Sequence, residues 1–177
     1  MTSDSTDTGT KADAEVKYEA PIRNASNHIV KLTTAMGDLT LELFRDISPN
    51  HADSFLARVK DSFYVGTIFH RVITNFMIQG GDPTGTGSGD ASYNLNAEFN
   101  DITHERGILS MARSNDPNSA SCQFFVVHKK SAHLDGKYTV FGNLLAGYET
   151  LDKIATAKHK NTRPITEIKI LKTSVIK

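Results

Sequence analysis

From Ile29 onward, apolar residues recur at every second position. Val30, Leu32 and Thr34 alternate with polar neighbours, Met36-Gly37-Asp38 supplies a turn, and Leu39, Leu41 and Leu43 alternate again. Period-two patterning on either side of a glycine turn predicts a β-hairpin. At Ser48-Pro49 the period changes. Ala52, Phe55, Leu56 and Val59 fall at helical spacing and form one apolar stripe, with Arg58, Lys60 and Asp61 on the wet side. Ser48 is expected as N-cap, Pro49 as the first helical residue, and the helix should end near Ser62.

The segment Phe69 to Asp82 is the most informative stretch. Two β-prone runs flank Thr74-Asn75-Phe76, and Asn tolerates the left-handed backbone of a tight turn. A hairpin centred on Asn75 pairs Arg71 with Gln79, Val72 with Ile78 and Ile73 with Met77. Because side chains alternate faces, Val72 and Ile78 then point to a core. The other face carries Arg71, Gln79, Met77 and Ile73. An arginine beside an amide is ordinarily a solvated outer face. Here Phe76, Met77 and the pair Gly80-Gly81 favour a binding surface instead.

Beyond it, Gly80 to Asp90 alternates glycine with polar residues. It lacks the Gly-Lys-Ser/Thr ending and the apolar helix of a phosphate cradle, so a structured loop beside a groove is expected. Asn94 to Arg106 is polar, with Leu95 and Phe99 as anchors. Gly107–Arg113 and Gln123–His128 read as strands, Leu134-Asp135-Gly136-Lys137 as a turn, and Tyr138–Leu145 as a further strand. Tyr148, Leu151, Ile154 and Ala155 mark a second short helix. Ile165, Ile168 and Ile170 begin the last strand. Many short strands with only two helices predict an antiparallel sandwich or a closed barrel.

The 177 residues are enough for one domain with a core of its own. Met1 to about Asn27 is polar and aperiodic, with Val16, Tyr18 and Ile22 scattered, and reads as a flexible tail. Met1–Thr10 has no apolar centre and does not read as a signal peptide, and no apolar run could cross a bilayer, so a cytoplasmic protein without a membrane partner is expected. The formal charge is +0 and the pI about 7.1, which gives no reason to expect nucleic acid. There is 1 Cys, so no internal disulfide can form.

Most catalytic chemistries find no footing. The 7 histidines show no metal-ligand spacing, so no metal or cofactor is expected. Cys122 has no neighbouring base and reads as a small buried side chain. Ser110 and Ser121 lack a Gly-x-Ser-x-Gly context. Asp135 and Gly136 read as turn residues. What is left is an arginine and an amide beside aromatic and thioether side chains. That set suits a chemistry needing only hydrogen bonding and an apolar slot.

The segments Phe69-His70-Arg71-Val72-Ile73, Phe76-Met77-Ile78-Gln79-Gly80-Gly81-Asp82, Gly107-Ile108-Leu109-Ser110-Met111-Ala112, Gln123-Phe124-Phe125 and Leu134-Asp135-Gly136-Lys137 resemble the cyclophilins in order and spacing. The likeness runs from about residue 28 to 177. It implies an all-β fold, an eight-stranded antiparallel closed barrel capped by two α-helices, and peptidyl-prolyl cis–trans isomerase activity that assists protein folding. It also implies roles. Arg71 is similar to the catalytic arginine and Gln79 to the amide that orients it. Phe76, Met77, Phe125 and Leu134 resemble the proline pocket. Ala112, Arg113 and Gln123 resemble the stretch that holds the substrate backbone, and His70, His133 and Tyr138 complete the substrate-binding set.

Departures from the family pattern matter too. Many eukaryotic members have Trp where this chain has His133, and His where it has Tyr138, which makes it similar to bacterial-type members. The missing indole implies reduced affinity for cyclosporin. Thr74 and Cys122 replace the usual Pro and Ser/Thr away from the presumed chemistry. The implied partners are proline-containing polypeptides, and a monomer is expected because a closed barrel leaves no free edge. Two other functions compete with this one: a non-catalytic proline-binding module or chaperone using the same groove, and a barrel holding an apolar ligand. Phe55, Phe69, Phe124 and Phe141 should fill the interior that the last of these needs.

Overall fold

The computed structural model describes residues 17–177. Most of the expected tail, with Val16, lies outside the described residues, as does the Met1–Thr10 stretch. Strands β1 (His28–Thr34) and β2 (Gly37–Leu43) form the first hairpin, with Val30 opposite Leu41 and Leu32 opposite Leu39. All four are fully buried, as the alternation predicts, but the opposite face is covered too: Ile29, Thr40 and Glu42 are also buried.

Helix α1 (Pro49–Lys60) follows, with Ala52, Phe55, Leu56 and Val59 buried. Ser48 holds the N-cap position and Pro49 opens the helix, as expected, but the Ser48 side chain does not cap it. The Ser48 hydroxyl donates to the Val140 carbonyl at 2.7 Å and makes no bond to its own helix. The cap comes instead from Glu98, whose carboxylate accepts the backbone N–H of Asn50 at 3.1 Å and of His51 at 2.9 Å. The same carboxylate pairs with His51 Nδ1 at 2.5 Å. An anion at a helix N-terminus satisfies orphan donors and the helix dipole together. Replacing it by Glu98→Ala should destabilise the protein by about 1–3 kcal/mol. A urea midpoint unchanged from wild type would refute this.

The remaining elements are β3 (Arg71–Ile73), β4 (Met77–Gly80), β5 (Ile108–Met111), β6 (Phe124–Val127), β7 (Val140–Ala146), α2 (Tyr148–Ala155), β8 (His159–Lys160), β9 (Arg163–Pro164) and β10 (Ile170–Val175). Eight strands make one antiparallel sheet in the order β10-β1-β2-β7-β5-β6-β4-β3, and β8 pairs with β9 alone. The barrel is less fully closed than expected. β10 and β3 do not pair; a short seam joins the chain before β3 to the chain entering β10. It consists of the Ile68–Lys169 bridge and bonds such as Phe69 N–H to Ile168 O at 3.0 Å. Beyond the seam, the β3 edge donates Val72 N–H to Thr162 O at 2.7 Å, so the β8–β9 hairpin is pinned against it.

The interior is packed with rings. Phe55 lies 5.2 Å from Phe124 and 5.4 Å from Phe141, and Tyr64 and Phe69 complete a fully buried cluster. These rings occupy the space that an apolar ligand would need. Some anchors moved relative to expectation. Phe99 is 44% exposed and Ile165 70% exposed, while Ile168 and Ile170 are buried and the last strand starts only at Ile170. Residues Glu19 to Asn27, which sequence patterning assigns to the tail, are docked. Glu19 and Ala20 N–H donate to Leu145 O at 2.7 and 3.0 Å, and Arg23, Asn24 and Asn27 all donate to the buried Glu42 carboxylate. This docking is polar and carries no hydrophobic period.

Candidate active site

The β3–β4 hairpin turns at Asn75, whose φ is 62°, and pairs Arg71 with Gln79, Val72 with Ile78 and Ile73 with Met77. Val72 and Ile78 are fully buried, as the alternation requires. On its far side β4 pairs with β6, which sets Gln79 opposite Phe125. One face of the sheet therefore carries, in a row across three strands, the guanidinium, the amide and the ring.

Amide groups link this row to the glycine loop. Arg71 donates to Gln79 Oε1 at 3.3 Å, and Gln79 Nε2 donates to Gln123 Oε1 at 3.0 Å. Gln123 Nε2 in turn donates to Gly87 O at 3.0 Å and Gly89 O at 2.8 Å. Each amide is thereby oriented, because its oxygen must accept and its nitrogen must donate.

Beside the row lies a recess of about 150 Å³ lined by Arg71, Phe76, Met77, Gln79, Ala112, Arg113, Phe125, Leu134 and Tyr138. It is well below the roughly 300–1,000 Å³ of clefts for drug-sized ligands and suits one small ring. Arg113 is held down by Lys137 O and by the Tyr138 ring, 4.5 Å from its guanidinium carbon. The chain thus brings together nearly all the residues singled out from the sequence. Gln123 lines the adjoining cleft with Ala112 and Arg113. His133 stands at the rim, 5.3 Å from the Phe76 ring. His70 is set apart: it is buried and lines a different groove, shared with Arg71 and Gln79, and not the recess.

A family model described as cyclophilin-type peptidyl-prolyl cis-trans isomerase matches residues 29–175. The chain belongs to the cyclophilin family. Peptidyl-prolyl cis-trans isomerase CYP18-1 of Arabidopsis thaliana is 44% identical over 152 residues, covering 82% of this chain and 94% of that protein. Peptidyl-prolyl cis-trans isomerase-like 3 of Homo sapiens is 42% identical over 149 residues, covering 80% and 91%. A solved cyclophilin-type isomerase of Cryptosporidium parvum superposes with a TM-score of 0.81 at 37% identity, covering 85% of this chain and 98% of that one. The same protein solved in the presence of the dipeptide Ala-Pro gives 0.80 at 38% identity, covering 84% and 99%. This cyclophilin is accordingly a peptidyl-prolyl cis–trans isomerase, and a non-catalytic binding module is not favoured.

Two parts of the cyclophilin site escaped sequence reasoning. The first is Asp82, fully buried at the start of the glycine loop. Its carboxylate accepts from Thr84 N–H at 2.7 Å, Thr84 Oγ1 at 2.8 Å, Gly87 N–H at 2.5 Å and Gly89 N–H at 3.1 Å. Burial pushes its pKa up, but these hydrogen bonds outweigh burial and hold it below the ordinary value. The second is His104, fully buried and stacked on Phe125 at 6.1 Å with ring planes 16° apart. Asp135 Oδ1 accepts its backbone N–H at 2.7 Å and lies 2.9 Å from Nδ1. Asp135, read from sequence as a plain turn residue, thus ties the Leu134 turn to the ring beneath Phe125. Nε2 lies 3.1 Å from Ser110 Oγ. That Asp–His–Ser order is no hydrolytic triad, since Ser110 and His104 are both fully buried. Cys122 is equally inaccessible, and burial pushes its thiol up to about 11.

Proposed function

We propose that this isomerase acts on proline-containing polypeptides by seating the prolyl ring in the recess of Phe76, Met77, Phe125 and Leu134, under the Arg71 guanidinium. Rotation about a peptide bond is opposed by roughly 18–20 kcal/mol because it breaks amide resonance. Midway through the turn the prolyl nitrogen regains a lone pair and can accept a hydrogen bond, which the planar amide cannot. A fixed donor at that point favours the twisted state over the ground state. Arg71 suits the task because it stays protonated. The apolar wall disfavours the more polar planar amide, and the donor is set in place before substrate arrives. No covalent step is needed.

The observation that carries this reading is the position of Arg71: it lines the recess and is tied to Gln79. Gln79 is the orienting residue. The Ala112 N–H is committed to Gln123 O at 2.9 Å, which leaves its carbonyl for the substrate backbone, with Arg113 and Gln123 alongside. His133 and Tyr138 form the rim, and His70 lines the neighbouring groove with Arg71. The catalytic domain is taken as residues 28–177, with 19–27 docked on it. A monomer is the working state, since the β8–β9 hairpin covers the β3 edge. Among the described residues no helix is long and apolar enough to cross a membrane.

The direct test is catalysed cis–trans exchange of an X-Pro peptide followed by NMR, compared with Arg71→Ala. A second prediction concerns the rim. An indole in place of His133 carries its N–H farther from the backbone, on a larger ring beside Phe76. His133→Trp should therefore tighten inhibition by cyclosporin A several-fold, one hydrogen bond being worth about 1 kcal/mol. Equal inhibition of both proteins would remove His133 from the drug-contacting rim.

A further inference from the structure

A groove larger than the proline recess lies next to it. It encloses about 830 Å³ and is lined by His70, Arg71, Gln79, Thr86, Gly87 and the stretch Lys160 to Ile165. Arg71 and Gln79 line both spaces, so a polypeptide leaving the recess past Arg71 enters this groove.

Its lining is one-signed. Arg71, Lys160 and Arg163 contribute three cations, and among the described residues no carboxylate lines it. His70 adds no charge there, because burial pushes its pKa down. Among the described residues the one acid paired with these cations is Glu167, 4.0 Å from Arg163, and it lies outside the lining. Lys160 makes no ion pair among the described residues and is exposed. The floor is held rather than loose. The hairpin carrying Lys160 is bonded to β3 through Thr162 O, and Arg163 donates to Gly85 O at 2.5 Å. Asn161 and Thr162 at its tip take left-handed φ of 50° and 69°, a backbone that a β-branched residue adopts only when neighbours impose it. Ile165, 70% exposed, gives the groove one apolar shelf.

We propose that this groove is a second substrate subsite, selecting polypeptides that carry an Asp or Glu two or more residues from the proline. The inference rests on the assignment of Arg71 to catalysis. A carboxylate directly beside the proline would pair with Arg71 and divert it from the prolyl nitrogen. One displaced along the chain meets Lys160 and Arg163 and leaves Arg71 free. Exposed charges attract weakly and are screened by salt, so the subsite tunes binding and encounter, not the rotation step.

The test uses the full chain and peptides sharing one X-Pro core, with Glu or Gln placed two to four residues away on either side. Exchange NMR gives kcat/KM for each. At about 0.01 M salt the better-placed Glu peptide should exceed its Gln twin about two- to tenfold, through KM. At about 1 M salt, where screening acts within roughly 3 Å, the ratio should fall to one. Lys160→Glu should invert the preference, so that a Lys peptide is turned over better than the Glu peptide. Equal turnover of Glu and Gln peptides at low salt on both sides overturns the subsite. An unaltered preference in Lys160→Glu does so too. If wild type turns over none of the peptides, it is the isomerase mechanism that fails instead.

Discussion

Arg71→Ala should lower catalysed X-Pro exchange by about 10- to 150-fold without unfolding the protein. The range follows from a charged hydrogen bond worth about 1.5–3 kcal/mol, at about 1.4 kcal/mol per decade. The fold should survive because Arg71 is exposed and its one side-chain bond, to Gln79 at 3.3 Å, is long. Arg71→Lys should recover little. An ammonium on a flexible stem offers no planar fork to hold against Gln79 while a second N–H addresses the substrate. Loss should appear mainly in kcat, since the interaction is made only in the twisted state. Exchange rates from NMR, with the thermal midpoint measured on the same samples, decide it. Wild-type exchange in Arg71→Ala at an unchanged midpoint would remove this residue from catalysis.

The second large effect belongs to Asp82. Asp82→Ala should destabilise the protein by about 2–4 kcal/mol, since three backbone N–H groups and one hydroxyl lose a charged acceptor in a buried place. Activity should fall as well. Gly87 and Gly89 supply the carbonyls that hold Gln123, and Gln123 holds Gln79 beside Arg71. The pH dependence has a definite sign. A carboxyl whose pKa is depressed by folding stabilises above its unfolded value, near 3.8, and loses that contribution as pH falls through the lower folded value. The stability gap between wild type and Asp82→Asn should therefore be full at neutral pH and shrink below pH 3.8. Denaturant titrations at several pH values check this, and a gap that stays constant into acid would show that the charge is not what holds the loop. Gly81, at φ +86°, makes the loop's departure possible: a Cβ there would stand 2.6 Å from Cys122 O.

How legible the molecule was depended on the range of the interaction concerned. The turn at Asn75 and the pairing of Arg71 with Gln79 were readable because strand alternation and turn chemistry act within a dozen residues. The stripe of α1 was readable for the same reason. So was its start at Ser48-Pro49; the carboxylate that caps it was not, because Glu98 lies 48 residues from Asn50. Asp82 looked like one polar residue in a polar loop; nothing local marks it as fully buried. His104 stood in a polar segment without period, and only the fold brings it under Phe125. Ile165 misled because an apolar residue near a strand reads as strand, whereas here it rims a groove.

By itself the sequence determined the strand and helix periods, the hairpin that aligns Arg71 with Gln79, the ring-filled core and, through its dense motifs, the cyclophilin family. Only the tertiary structure decided how far the barrel closes, how residues 19–27 dock, and which distant polar groups cap α1, order the glycine loop and back the proline recess. The physical reason is that hydrophobic burial leaves a periodic trace along the chain, while a buried hydrogen bond between remote residues leaves none.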